Sequence, residues 1–592
     1  MTNPKIVLDF ETNGLRPYDG SRPFIVGMET EDGKVMLARP GDKVRIKDIQ
    51  EYNWVKFETL VQSPLVDKIC HNAKFEIKHT KHLGLTPKGK FHDTMALSVL
   101  INEYWPTNLG WLSGKHLKDF TKDIIQNWLK ANKRSFKKEH GRNPNYSDVP
   151  KELLEKYLEG DLDKTLRLFW LFYPVIEKNP KLLKLYNMET DLAHDIANME
   201  DRGVAVDIDR CYAAIKELKP RQKELADKIF NRCGFKFNLA SPAQLGDIFE
   251  QLDIDTGERT ATGKPKTSYD LLSRLMDKHP FINDFITWRT INKILATYIV
   301  PFTQISKAGQ LHPEFWQYGK DRAIVTGRLS SWFHTLPSRA KNDNPELIKI
   351  GNLVKQCIIP RPGKAFVFFD FKQIEMRIFA HYTKEKELIN KIKAGVDPYL
   401  ATAHILFGKK FMDNLKGEKF DTWRDRAKQV SLAFIYGMGI DLLAHNLKYT
   451  RQEASDIKRK FFNALPHARE LSMSMQRDIL SKGYCEDIFG RRYHVPTDMC
   501  YKGVNAICQG SAATIMKQTI LKSRQLQQYT AYPFLTLHDE IGLECDIDMV
   551  DTVCREGKKL LEDNTTFSVP LNVDVEVSYT NWKEKTKWTQ KK

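Results

Sequence analysis

In AFVFFDFKQIEMR, residues 365–377, five consecutive apolar residues, Ala365 to Phe369, deliver one carboxylate, Asp370, and an amphipathic segment follows. An apolar run of this length ended by a charge reads as a strand buried on both faces, with Asp370 where it leaves the core. A charge there needs a partner, and the next strong signal is not a nearby base but a second acidic site. It stands far downstream in PFLTLHDEIGLECDI, residues 533–547. There the strand-like runs Phe534 to Leu537 and Ile541 to Cys545 flank His538, Asp539 and Glu540 at a hairpin tip. Two strand-end aspartates set side by side repel unless cations lie between them. Two divalent ions about 3.5–4 Å apart relieve that repulsion and also clamp the attacking and leaving oxygens of a phosphoryl transfer. Taken singly, each aspartate reads equally well as the partner of a surface Lys or Arg.

A third segment separates these readings. In RDRAKQVSLAFIYGMG, residues 424–439, Arg424, Lys428, Leu432 and Tyr436 recur at every fourth position, a stripe along one helix face, and Gly437 and Gly439 end the helix. A cationic stripe ending in an aromatic suits a triphosphate with a base attached. Together and in this order, the three segments resemble motifs A, B and C of family A DNA polymerases, the DNA polymerase I group.

That resemblance implies a right hand of palm, fingers and thumb in which Asp370 and Asp539 hold two Mg²⁺ ions, with Mn²⁺ an alternative. Arg424 and Lys428 would bind the incoming dNTP, Lys428 also giving the proton to pyrophosphate. Leu432 stands where most members have an aromatic residue and some viral ones have leucine. Tyr436 would police the template base, and Glu375 would crowd the sugar 2′ position against ribonucleotides. His538 would lie beside the nucleotide and, with Glu540, support the site without ligating. Primer-template DNA would meet Arg328 in TGRLSS, Arg339, Arg491 and Arg492 in GRRYHVP, and Asn505 and Gln509 in NAICQGSAA. The last two would test pair geometry in the minor groove, where acceptor positions are nearly degenerate. DPYLATAHILFG, residues 397–408, resembles the entry to the fingers.

At the N-terminus, KIVLDFET, residues 5–12, reads as a strand with Asp9 and Glu11 on one side, and strands around an EDG turn extend it into a meander. HNAKFE, residues 71–76, follows, and Tyr157 and Asp161 lie four apart on a predicted helix. Four acidic groups with a tyrosine make an inventory for Mg²⁺. These segments resemble the motifs of DEDDy 3′→5′ exonucleases on an RNase H-like fold. By that resemblance Asp9, Glu11, Glu76 and Asp161 are ligands of two further ions, and Tyr157 orients the attacking water. Glu76 departs from the aspartate common in the second motif, adding a methylene. Asp93 in FHDTM reads as a helix cap.

The 592 residues carry 92 Lys plus Arg against 75 Asp plus Glu, a net charge of +17, which fits a polyanionic partner. Nine scattered cysteines without a CxxC pair indicate neither a disulfide framework nor a zinc site, and no apolar run spans a membrane. A reducing bacterial cytoplasm is expected. The fold class expected is mixed α/β: an exonuclease domain over 1–185 and a polymerase domain over 186–592. Within the latter, the thumb would cover about 205–310, the palm about 311–395 and 485–592, and the fingers about 396–484. Lys115 to Lys138, with Trp128 and Phe136 interleaved, reads as a guide for single-stranded DNA or as a solvated insertion. The expected function is a proofreading DNA polymerase, the monomeric replicative enzyme of a phage on domain content, with a helicase-primase or single-strand binding protein as partner. The alternative is a 3′→5′ exonuclease whose C-terminal half is a non-catalytic clamp on DNA.

Overall fold

Asp9 pairs across its sheet with Gly27, and that pairing places a helix. A Cβ on Gly27 would lie 2.8 Å from Leu162 and 2.9 Å from Leu158, so the missing side chain lets the helix Lys151–Glu177 lie on the sheet. Asp161, between those two leucines in sequence, is thereby carried towards Asp9.

The computed structural model describes residues 3–39, 49–120, 124–273, 275–276, 279–305, 309–319, 324–336, 344–447 and 449–590. The first sheet has the order 35–38, 23–30, 5–12, 67–70, 91–93. Its first three strands form the antiparallel meander expected from the sequence, and the last two add in parallel.

The second sheet is antiparallel, in the order 532–537, 540–546, 364–371, 573–578, 586–587. Lys364–Phe371 is its central strand, which is why Ala365 to Phe369 are all buried while Asp370 emerges. Register sets Asp370 opposite Glu540 on one side and Asp574 on the other. Asp539 lies one residue before that pairing, at the hairpin tip.

Between the sheets the chain is mainly helical. Ile208–Cys233 packs on Pro280–Ile294, and Ser241 caps Pro242–Gln251 with proline at its first position. The sequence predicts helix over 268–305, and the described residues there form Tyr269–Ser273 and then Pro280–Ile294, a π turn Leu295–Ile299 and Val300–Gln304 joined end to end. Pro280 stands at the first position of its helix, where the donor that proline lacks is not needed. The fingers helix, Glu418–Ile435, ends as its glycines predict: Gly437 has φ +65°, and a Cβ there would lie 2.6 Å from the Tyr501 ring. The division expected at residue 185 falls inside a continuous helix, Pro180–Arg202. One apolar core nevertheless runs from Leu192 to Trp582, while residues around Leu8 and Phe57, and around Leu162 and Phe169, form cores of their own. The nine cysteines are free thiols, and among the described residues no helix is long and apolar enough to cross a membrane.

Candidate active site

The strand end and the hairpin tip bring Asp370 and Asp539 together. Although Asp370 reaches solvent, the surrounding protein desolvates it and the charges of Glu540 and Asp539 add to the effect, pushing its carboxyl up to about 7. Burial raises Asp539 to about 6, opposed by the nearby Arg328. Glu540 is held differently. Lys585 donates to its carboxylate while resting 3.8 Å from the centroid of the Phe368 ring, so Glu540 supports the pair. His538 takes the left-handed conformation at the tip, φ +55°, and packs edge-on to His334 at 5.3 Å. Burial, then the neighbouring His538, holds His334 down to about 4.

The fingers helix delivers the cations. Arg424 is gripped by Asp397, with Nε 3.2 Å from Oδ1 and Nη2 2.7 Å from Oδ2. Asp397 also caps the helix Pro398–Phe407 by accepting from the amides of Tyr399 and Leu400. Lys428, one turn along, is exposed, makes no ion pair among the described residues and lies 5.9 Å from the Tyr399 ring centroid. Leu432 is half-buried against the core. Tyr436 donates to Glu375, which Arg328 Nη2 also contacts at 2.7 Å. Gln509 approaches the same phenol, and Asn505, one turn earlier on Gly503–Lys522, has a buried Oδ1 with no hydrogen-bond partner.

The arginines expected at DNA divide. Arg492 is half-buried over the Tyr484 ring at 4.7 Å, and Arg339 lies outside the described residues. Arg491 requires a correction. It is 4% exposed, its guanidinium donates to Glu189 and fills the space beside Gly327, so it is an internal strut and not a DNA contact. Glu189 also accepts from Lys517 at 2.7 and 2.9 Å and from Gln317 at 2.6 Å. A buried charge without such partners is costly, which is why these four side chains are collected from distant segments.

The N-terminal carboxylates also converge. Glu76 stands in the first turn of Ala73–His82, is 1% exposed, and has an Oε2 without a hydrogen-bond partner. Burial first, then the charges of Asp9 and Glu11, raises it well above the carboxylate range. Burial and the Asp161 charge push Asp9 up to about 8. Lys164 donates to Asp161 at 3.1 Å, and Tyr157, one turn before, lies 6.4 Å from the Tyr146 ring. Asp93 caps Thr94–Ile101, accepting from the amides of Met95, Asn72 and Ala73.

Among the described residues no three His, Cys, Asp or Glu side chains close into a ready-made metal cage. Mg²⁺ does not require one, since it is commonly bound by one or two carboxylates together with substrate phosphates and water. The crowded pair Asp370 and Asp539, and the orphaned Glu76 Oε2 near Asp9, fit that mode of binding.

Sequence reasoning missed the braces: Asp397 on Arg424, Lys585 on Glu540, and the buried Glu189 that holds Arg491. It also missed Glu200, fully buried, which binds Lys74 at 2.6 Å and Lys78 at 2.8 Å. Those lysines flank Glu76 at positions two before and two after it, and with Lys81 and His82, which meet Asp201, they anchor its helix.

The chain is 27% identical over 596 residues to DNA polymerase I of Borreliella burgdorferi, covering 96% of this chain and 61% of that one. Over 427 residues it is 30% identical to the thermostable DNA polymerase I of Thermus aquaticus, covering 69% and 49%. It thus spans about half to three fifths of the length of these curated relatives. The solved POL domain of Pol1 from M. smegmatis, in complex with DNA primer-template and dNTP, shares the fold with a TM-score of 0.79 at 21% identity, covering 98% of this chain and 96% of that one. The mixed α/β architecture of palm, fingers and thumb is therefore that of a polymerase domain. The family model described as DNA polymerase family A matches residues 208–584, and the chain belongs to that family.

Proposed function

We propose that this chain extends a primer 3′ end with dNTPs on a DNA template and shortens mispaired ends at a second site in its N-terminal part. The observation that carries the first activity is the juxtaposition of Asp370 and Asp539, two aspartates raised by burial, opposite a helix presenting Arg424 and Lys428. When bound, a pair of Mg²⁺ ions would lower the pKa of the primer hydroxyl and neutralise charge on the departing pyrophosphate. Asp370 and Asp539 would hold that pair. Arg424, fixed by Asp397, would orient the triphosphate, and Lys428 would supply a proton to pyrophosphate. Glu375 would fill the space beside the sugar 2′ carbon.

The second activity is supported by the convergence of Asp9, Glu11, Glu76 and Asp161 on three different elements, with Tyr157 on the helix that carries Asp161. The relative from Borreliella aligns through this region as well. The two sites would divide near residue 185, with Pro180–Arg202 as a shared strut. Leu432, the residue some viral members carry, supports the phage side of the reading.

One gel tests both activities: a labelled primer-template with Mg²⁺, with and without dNTPs, for the unmodified chain, Asp370→Ala and Asp9→Ala. Extension lost only in the first variant and shortening lost only in the second is the expected result. Shortening without extension in the unmodified chain would leave the C-terminal half a clamp.

A further inference from the structure

The helix Ile124–His140 is amphipathic in an unusual sense. Ile125, Trp128, Leu129, Asn132 and Phe136 turn inward, and the outer face carries Lys130, Lys133, Arg134, Lys137 and Lys138, all exposed. None of these five cations makes an ion pair or side-chain hydrogen bond among the described residues. Some exposed helix cations elsewhere in the chain have acidic partners one turn away, as in Lys228–Glu224 and Arg167–Asp163, and others, such as Lys156 and Lys216, stand singly; among the described residues only here do five stand unpaired on one helix face with like charges at i,i+4. Here the i,i+4 neighbours are Lys130 with Arg134, Lys133 with Lys137 and Arg134 with Lys138, each a like-charge pair that weakens the helix. The single acid, Glu139, lies beside His140 at 3.8 Å. A surface built against its own helix in this way gains most from a polyanion.

Its position identifies which polyanion. Ile125, Trp128 and Leu129 pack in the same cluster as Tyr157, and Gln126 in the first turn donates to Tyr146, whose ring stands edge-on to Tyr157. The cationic turns follow that anchored end, covering about 12 Å from Lys130 to Lys138 at 1.5 Å per residue. The aromatic side chains are not available for base stacking. Trp128 faces the core, and Phe136 is covered by His140 at 4.1 Å and by the Arg142 guanidinium at 5.0 Å. Recognition through phosphates alone is what remains, and it is independent of sequence.

We infer that the outer face of the helix 124–140 binds the phosphates of single-stranded DNA and leads a frayed strand to the carboxylate site around Tyr157. The choice of a single strand and the direction of travel rest on the shortening activity proposed above; the binding of phosphates by this face does not.

The test measures affinity for a fluorescent oligo-dT and for a blunt duplex across a KCl series in EDTA, where nothing is cleaved. The proteins are the unmodified chain, a variant with all five cations changed to Gln, and a variant with the four lysines changed to Arg. The log–log salt slope on oligo-dT is expected to fall by about 0.7 for each cation that contacts a phosphate, up to about 3.5 in the Gln variant, and to be kept in the Arg variant. The duplex slope is expected to change by less than one. An unchanged oligo-dT slope overturns the inference, and an equal fall on the duplex overturns the choice of single strand. A parallel Mg²⁺-dependent shortening assay of the unmodified chain reads the nuclease proposal separately. If nothing is shortened, that proposal fails while the salt slope still decides this one.

Discussion

The Tyr436 hydroxyl donates to Glu375 Oε2 at 2.6 Å, joining the residue that caps the C-terminus of the helix Glu418–Ile435 to the first turn of the helix Ile374–Thr383. Arg328 holds the other oxygen, so the carboxylate is fixed from two sides and cannot swing aside. Burial, with the Glu375 charge second, keeps the phenol protonated at any ordinary pH and therefore a donor.

In the proposed scheme this bracing would serve sugar selection. Glu375→Ala removes the group that would crowd a 2′-hydroxyl, and ribonucleotide use relative to deoxyribonucleotide use is expected to rise about tenfold or more, or ~1.4 kcal/mol of transition-state discrimination. Single-turnover incorporation of matched rNTP and dNTP measures the ratio. An unchanged ratio would remove Glu375 from that role.

The buried group around Glu189 is expected to contribute to the acid sensitivity of the fold. Its carboxyl is held down to about 2 by Lys517 and Arg491 against the opposing effect of burial, compared with an ordinary value of 4.5. A depressed carboxyl stabilises the fold at pH above 4.5, and that contribution is lost as pH falls from 4.5 towards 2. The loss amounts to about 3 kcal/mol. Urea melts between pH 6 and 3 should show the drop in the unmodified chain. Glu189→Gln should be destabilised by ~3–5 kcal/mol near neutrality, where it leaves Arg491 and Lys517 buried without their anion, and its acid dependence should be shallower. Parallel acid curves for the two proteins would show that the drop has another source.

These two cases show what could be read in the chain beforehand. Asp370 was legible because a run of five apolar residues has few ways to end, and Asp539 because a hairpin tip between two short strands is a local pattern. Tyr436 and Glu375 each carried a motif position, but their contact did not, since it spans 61 residues. Arg491 was misread for a related reason. A GRR turn looks basic and exposed until Glu189, from a helix 302 positions earlier, is folded against it. Gly27 gave no signal in its own strand, because the reason for a missing Cβ lies in the leucines of another helix. Local chemistry is written locally, whereas compensation of buried charge is a property of the packed chain.

Asp397 offers a test of positioning as distinct from binding. It touches no part of a nucleotide in the proposed scheme, yet it fixes Arg424 through two hydrogen bonds. Asp397→Ala is expected to raise the KM for dNTP about tenfold with a smaller change in kcat, because the guanidinium must then be ordered by the substrate. A pure loss of protein, with unchanged KM in the active fraction, would mark Asp397 as a helix cap only.

The carboxylates near the N-terminus make an opposite prediction for stability. Glu76 and Asp9 are desolvated and mutually repelled in the absence of cations, so each weakens the fold when no metal is bound. Replacing one of them by its amide keeps the shape and removes a charge. In EDTA, Asp9→Asn is therefore expected to melt above the unmodified chain, by about 2–4 °C for each kcal/mol of repulsion relieved. In the proposed scheme Mg²⁺ would bind the folded state alone, and it should then raise the melting temperature of the unmodified chain. It should raise that of Asp9→Asn less, since a ligand has been lost. The order of the two proteins would thus narrow or reverse as Mg²⁺ is added, an exchange of stability that a purely structural Asp9 does not produce. Equal shifts in both proteins, with Asp9→Asn melting no higher in EDTA, would exclude Asp9 from cation binding.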